Sequence, residues 1–348
     1  ERSESTKRSA VNPKLETTSA ASLPPHSSQT SQMGSKAKRV LLAAVLILVV
    51  AGVEYFTGIE ILGIVNPSPT DPVAQVNRTM SQEPPTGPYL RLVTWNLYNF
   101  GKSKNDQEMA FIAESLRDYD VVAVQEVSTG PAGAQAVARL DDELDRRGFE
   151  WDYRISDPTS GDGSERYAYL WKTSRAQIKG RAWLEPTLAG PIDREPYMAR
   201  FQSRDGGGSM LIASIHAVPR SKDPEREVRL LDRLHQRYES DHLIVLGDFN
   251  LDEDDEAFLG LRRLGYVPVL NDQPTSLRRK RRSGANGHLA NEYDNIFFEA
   301  STLRVSRGGV ADFTTSFSTL RQARKISDHL PVHADIQWRT GTQPAAAR

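Results

Sequence analysis

Cysteine is absent from this chain of 348 residues. That excludes disulfide frameworks, thiolate nucleophiles and Cys-based zinc sites together, and it suits a reducing or an oxidising compartment. Net charge is scarce as well: 44 basic and 45 acidic side chains cancel to −1. No whole-chain field announces a polyanionic partner, so any such signal must be local. Histidine is sparse, with seven in all, so acid–base chemistry near neutral pH rests on few positions. No internal repeat is visible.

What is present falls into segments. Residues 1–38 are rich in Ser, Thr, Lys and Pro and read as a disordered tail. Val40 to Val53 then runs without a charge, and Tyr55 and Phe56 extend it past Glu54. A membrane helix needs about 20 mostly apolar residues, so a single transmembrane helix is expected over 39–60. Lys36, Lys38 and Arg39 precede it, which puts the N-terminus in the cytoplasm and the rest outside, periplasmic or extracellular. A cleaved signal starting at Met33 is the rival; no Ala-x-Ala pattern follows, which favours the anchor. Residues 61–88 read as a Pro-rich linker, 89–338 as a folded domain and 339–348 as a second disordered tail.

Within the domain, strands are expected at Leu90–Asn96, Val121–Glu126, Tyr167–Trp171, Met198–Ser203, Met210–His216, Leu243–Asp248, Tyr293–Phe298 and Leu330–Trp338. Helical spacing marks Phe111–Leu116, Gln135–Arg147 and Glu225–Tyr238, and Asp205–Gly208 reads as a hairpin turn. Both βαβ and hairpin connections occur, so the class is α/β with a mixed sheet or two. Polar signatures sit on or just beyond these runs: Thr94-Trp95-Asn96, Gln125-Glu126, Ile215-His216, Gly247-Asp248-Phe249-Asn250 and Ser327-Asp328-His329. Carboxylates, amides and imidazoles at the ends of buried strands are costly unless they pair or bind a cation. Repetition at so many strand ends points to one assembled site.

These signatures, with Ser164–Trp171, Arg194–Phe201 and Glu292–Phe298, occur in an order that resembles the endonuclease/exonuclease/phosphatase superfamily. Within it the chain is most similar to the deoxyribonuclease I-like branch. The resemblance implies a four-layer α/β sandwich of two packed mixed β-sheets flanked by helices, with the site at one end.

Glu126 closes an apolar run, where a carboxylate is a natural ligand for a hard cation such as Mg2+, with Mn2+ or Ca2+ as the other candidates. Asn96 would orient Glu126 or help hold the metal, and Asp328 would complete the metal or water network. His216 and His329 are the candidate proton handlers, and the resemblance gives each a carboxylate partner, Glu165 and Asp294 respectively. Asp248 and Asn250 lie two apart, so an extended backbone points both to one side. The resemblance makes Asp248 the group that orients or deprotonates water, Asn250 a donor to phosphate, and Arg194 a phosphate contact. Arg278, Arg279, Lys280, Arg281 and Arg282 form a basic run that suits several backbone phosphates, or else anionic lipid head groups.

The function expected is a membrane-anchored, metal-dependent phosphodiesterase, a nuclease with DNA as the favoured partner, acting as a monomer. A sphingomyelinase-like hydrolase of phospholipid or other phosphate esters is the alternative. A silent phosphate-binding module is less favoured, because Glu126, His216, Asp248 and His329 are all present.

Overall fold

The computed structural model describes residues 85–339 except Ser103 and Ser240. The chain divides into two compact units, 1–66 and 67–348. The first, which contains the expected anchor at 39–60, lies outside the described residues. Among the described residues no helix is long and apolar enough to cross a membrane.

Two mixed sheets carry the second unit. The first is ordered β12-β13-β1-β2-β4-β3: Leu303–Val310, Val332–Trp338, Tyr89–Phe100, Val121–Val127, Arg166–Lys172 and Trp151–Ile155. The second is β10-β11-β9-β8-β7-β5: Tyr266–Pro268, Asp294–Glu299, Leu243–Asp248, Ser209–His216, Tyr197–Ser203 and Ala176–Ile178, with β6 (Trp183–Leu184) also on β7. Only β1–β2 and β8–β9 are parallel; every other pairing is antiparallel.

The layering follows from side-chain alternation. On β1, Leu90 and Leu92 point into the core between the sheets, while Val93, Trp95 and Leu97 pack outward. On β9, Ile244 and Leu246 point inward, and Leu243 and Val245 outward. The outer face of the first sheet is covered by α1 (Asp106–Leu116), α2 (Pro131–Asp145) and α6 (Leu320–Ile326). That of the second is covered by α3 (Glu225–Val228), α4 (Asp232–Arg237) and α5 (Leu259–Arg263). The order is helix, sheet, sheet, helix.

Local chemistry sets the helix starts. Asn105 and Glu108 form a reciprocal capping box at α1, and Pro131 opens α2, where a missing N–H costs nothing. The expected helix over Glu225–Tyr238 is two short pieces, α3 and α4. Between them the backbone tightens into i→i−3 bonds, Leu230 N to Glu227 O and Leu231 N to Val228 O. The turn at 205–208 joins β7 to β8, and Gly207 and Gly208 lie flat on the Trp338 indole, where a Cβ would come within 2.3 and 2.7 Å of it.

Candidate active site

Strand direction gathers the polar signatures at one end of the sandwich. β1, β2, β8 and β9 deliver their C-terminal ends there. β11 and β13 run antiparallel to β9 and β1, so they deliver their N-terminal ends. Asn96, His216, Asp248 and Asp294 continue the inward-facing alternation of their strands, and His329 lies just before β13. Gly247 permits this convergence: its φ is +135°, and a Cβ would stand 2.0 Å from the Ile215 carbonyl.

Asp248, 1 % exposed, is the hub. Its Oδ2 accepts from Asn96 Nδ2 at 3.1 Å and lies 3.5 Å from His216 Nε2 and 3.6 Å from His329 Nε2. Each imidazole is backed by a carboxylate. His216 Nδ1 is 2.9 Å from Glu165 Oε2, and His329 Nδ1 is 2.8 Å from Asp294 Oδ2. Asn96 Nδ2 also donates to Glu126 Oε1 at 3.1 Å, and Asn99 N donates to Glu126 Oε2 at 2.7 Å. Glu126, Glu165, Arg194, His216, Lys102 and Ser128 share the wall of a cavity of about 520 Å³.

Charge in this cluster is uneven. Burial opposes the imidazolium of His329, but Asp294 and Asp248 outweigh it and push its pKa up to about 10. His216 is also raised: burial and Arg194 oppose its charge, and Glu165 and Asp248 overcome them. The Asp294 carboxyl is pushed up, chiefly by burial and also by Asp248. Asp294 and His329 therefore titrate as a pair.

Asn250 differs from the expectation of an extended segment. β9 ends at Asp248, and Asn250 has φ +52°, with its Nδ2 donating to the Ala217 carbonyl at 3.0 Å. Its backbone N–H, not its side chain, meets Asp248 Oδ1, at 3.0 Å. Arg194 is buried, with Nε on the His216 carbonyl, Nη2 on that of Ala217, and Nη1 3.5 Å from Glu165. Asp328 turns its Oδ2 to Arg324 Nη2 at 2.9 Å, while its buried Oδ1 has no hydrogen-bond partner. Among the described residues two clusters bring three possible ligand atoms together, Asp248 with Asp294 and His329, and Glu253 with Asp272 and Glu292, while Glu126 stands beside the first, joined to Asp248 through Asn96.

The basic run is rooted in the site. Leu277 N donates to the Asp328 carbonyl, Ser276 bridges to His329, and Thr275 Oγ1 donates to Asp294 Oδ2 at 2.7 Å. Arg279 to Arg282 then project into solvent.

Several supporting residues were not singled out as site residues in the sequence. Thr275 lies in a loop without periodicity. Tyr167 takes the His216 N–H on its hydroxyl at 3.1 Å and donates to the Arg194 carbonyl. Glu227, fully buried, accepts from Asp193 N and Val218 N and so clamps the Arg194 loop to the end of β8. An acidic residue among the apolar positions of a helix was the available hint. Lys104 reaches the carbonyls of Tyr98 and Lys325, and burial lowers its pKa to about 8 against the pull of Glu108, Asp328 and Glu126.

Comparison with known proteins bears on this arrangement. The profile of the endonuclease/exonuclease/phosphatase family matches residues 93–329. A deoxyribonuclease of Thioalkalivibrio sp. is 28% identical over 271 residues, covering 72% of this chain and 72% of the relative. A deoxyribonuclease-1-like 1 of Sus scrofa is 29% identical over 268 residues, covering 71% and 81%. Among solved structures, an endonuclease/exonuclease/phosphatase family protein from Bacteroides thetaiotaomicron superposes with TM-score 0.55 at 16% identity, covering 73% of this chain and 100% of that one. A mannosyl-6-phosphatase of the same organism gives 0.54 at 18%, covering 71% and 99%. At these identities the structural likeness speaks for the fold.

Proposed function

Since the chain belongs to the endonuclease/exonuclease/phosphatase family of hydrolases, we propose that it is a metal-dependent nuclease of the deoxyribonuclease I type, cutting phosphodiester bonds of DNA. The observation that carries this reading is one carboxylate oxygen, Asp248 Oδ2, faced by two imidazoles that are each backed by an acid. The names of the two curated relatives support nucleic acid as the substrate.

The donor set fits a hard divalent cation. Glu126 is held at the cavity wall by Asn96 and Asn99, and Asp328 Oδ1 is buried without a donor. Bound there, Mg2+ (or Mn2+ or Ca2+) would offset charge developing on the phosphoryl oxygens. The remaining chemistry falls to side chains. Asp248 orients the attacking water, with its own position fixed by Asn96 and the Asn250 N–H. His329, held protonated by Asp294, carries the proton for the departing oxygen, and His216 donates to the phosphate from the other side. Arg194 supports Glu165 through Nη1 and the end of β8 through Nε and Nη2, and from the cavity wall it adds positive charge toward phosphate. Arg278 to Arg282 meet the flanking backbone phosphates. In the same reading, residues 39–60 hold the monomeric enzyme at a membrane with its domain on the extracytoplasmic side.

Plasmid nicking by the full-length chain tests this. Mg2+-dependent nicking should fall about 10²- to 10⁴-fold in His216→Ala and in His329→Ala. Hydrolysis of sphingomyelin vesicles with intact plasmid would transfer the chemistry to a lipid phosphodiester instead.

A further inference from the structure

β1 and β2 part company beside the site. Their register runs Asn96↔Gln125 and then Phe100↔Val127, so three residues of β1 face the single residue Glu126. Six non-glycine residues in the described chain have positive φ, and three of them meet here: Tyr98 at +44°, Asn99 at +52° and Glu126 at +60°. Such backbone is unfavourable for a bulky residue and persists only where its surroundings hold it. Here the holders are site residues: Asn96 Oδ1 accepts from Tyr98 N at 3.0 Å, and Glu126 Oε2 accepts from Asn99 N at 2.7 Å. Leu97 and Phe100 on either side are fully buried and pin the bulge to the core.

Burial and the orientation of Glu126 account for everything in the bulge except one group. The Tyr98 ring is turned outward and is 42 % exposed, one of three exposed large apolar side chains among the described residues and the one beside the site. It adds nothing to the core. Lys104 Nζ lies 6.0 Å from its centroid but is buried and donates to the Tyr98 and Lys325 carbonyls, while Lys102, tied to Asn99 Oδ1 at 3.0 Å, lines the cavity. An outward aromatic face on the bulge, whose neighbours Asn99 and Lys102 line the cavity with Glu126 and His216, matches a nucleotide: ring for the base, the Lys102 ammonium for a phosphate.

We propose that Tyr98 is a stacking platform for the base of a nucleotide flanking the scissile phosphate, and so sets how firmly the polymer is gripped at this edge of the site. This rests on the nuclease reading above. The test uses the full-length chain and a duplex in which every linkage but one is phosphorothioate, with companion duplexes carrying an abasic residue on either side of the cleavable bond. Tyr98→Ala should raise KM on the intact duplex about tenfold while kcat stays near wild type, and Tyr98→Phe should behave as wild type. On one of the abasic duplexes, wild type and Tyr98→Ala should coincide. An unchanged KM in Tyr98→Ala, or a rise that persists undiminished on both abasic duplexes, overturns the platform while leaving the nuclease intact. Wild-type protein that leaves the duplex uncut but hydrolyses sphingomyelin vesicles removes the nuclease reading itself, and the platform with it.

Discussion

The two histidine arms of the site look alike in geometry and differ in charge. On the side of the second sheet, His216 leans on Glu165; on the other, His329 leans on Asp294, and both Nε2 atoms stand about equally far from Asp248 Oδ2. Glu165, however, is shared: Arg194 approaches it at 3.5 Å and Glu126 N at 3.3 Å. Asp294 has only the neutral Thr275 hydroxyl beside its histidine, and its Oδ1 is buried without a donor. A guanidinium therefore competes for the carboxylate of one arm, while the other carboxylate is spent on its imidazole. Similar hydrogen bonds can thus leave two histidines with unequal hold on a proton, because the third charge decides.

The severest way to break the comparison is to remove what the arms share. Asp248→Asn should lower DNA nicking about 10³-fold and lower the pKa of both imidazoles, read by NMR on the metal-free protein. Equal pKa values before and after would dissociate Asp248 from both arms.

Breaking one arm comes next. In wild type the pKa of His329 is held near 10, above its unfolded value of about 6.5. Its charged form therefore stabilises the fold fully below about 6.5, and that contribution is lost as pH rises through about 10. Asp294→Asn should bring the His329 titration down toward neutrality, erase that alkaline dependence of stability in melting curves, and cost roughly 10²-fold in rate. A His329 titration that stays put would assign its shift to other groups.

Arg194→Gln sharpens the asymmetry in the opposite direction. Without the guanidinium, the His216 imidazolium should persist to higher pH than in wild type, while His329 is unmoved. Nicking should fall about tenfold as one phosphate donor is lost. The mildest change lies farthest out: Arg279→Glu with Arg281→Glu should leave the cleavage rate at saturating DNA alone. It should flatten the slope of log K against log salt by about 0.9 per lost contact. An unchanged slope would detach the basic run from DNA.

Sequence legibility tracked burial on both faces. β9 runs Leu243–Asp248, as its apolar pattern predicts, because both its faces meet core. The strands with no clear signal, β3, β5, β6, β10 and β12, all lie at sheet margins. Their partners define them more than their composition does: β12 carries Arg304, Arg307 and two glycines, yet pairs with β13 over Leu303–Val310. The helix expected at Glu225–Tyr238 is present as two pieces, interrupted where the backbone tightens into i→i−3 bonds at Leu230 and Leu231. The expected anchor, linker and tails at 1–84 and 340–348 lie outside the described residues.

For the site, the chain by itself determined which groups exist and that they stand at strand ends, because alternation and apolar runs are local properties. It also determined, through the spacing of its signatures, the superfamily they resemble. Tertiary structure alone decided who shares whom. The choice of the Ala217 carbonyl for Asn250 and of Arg194 as competitor for Glu165 joins residues far apart in the chain. Such choices depend on distances of a few ångströms between chain segments, and in a desolvated pocket those distances set which proton is held most tightly.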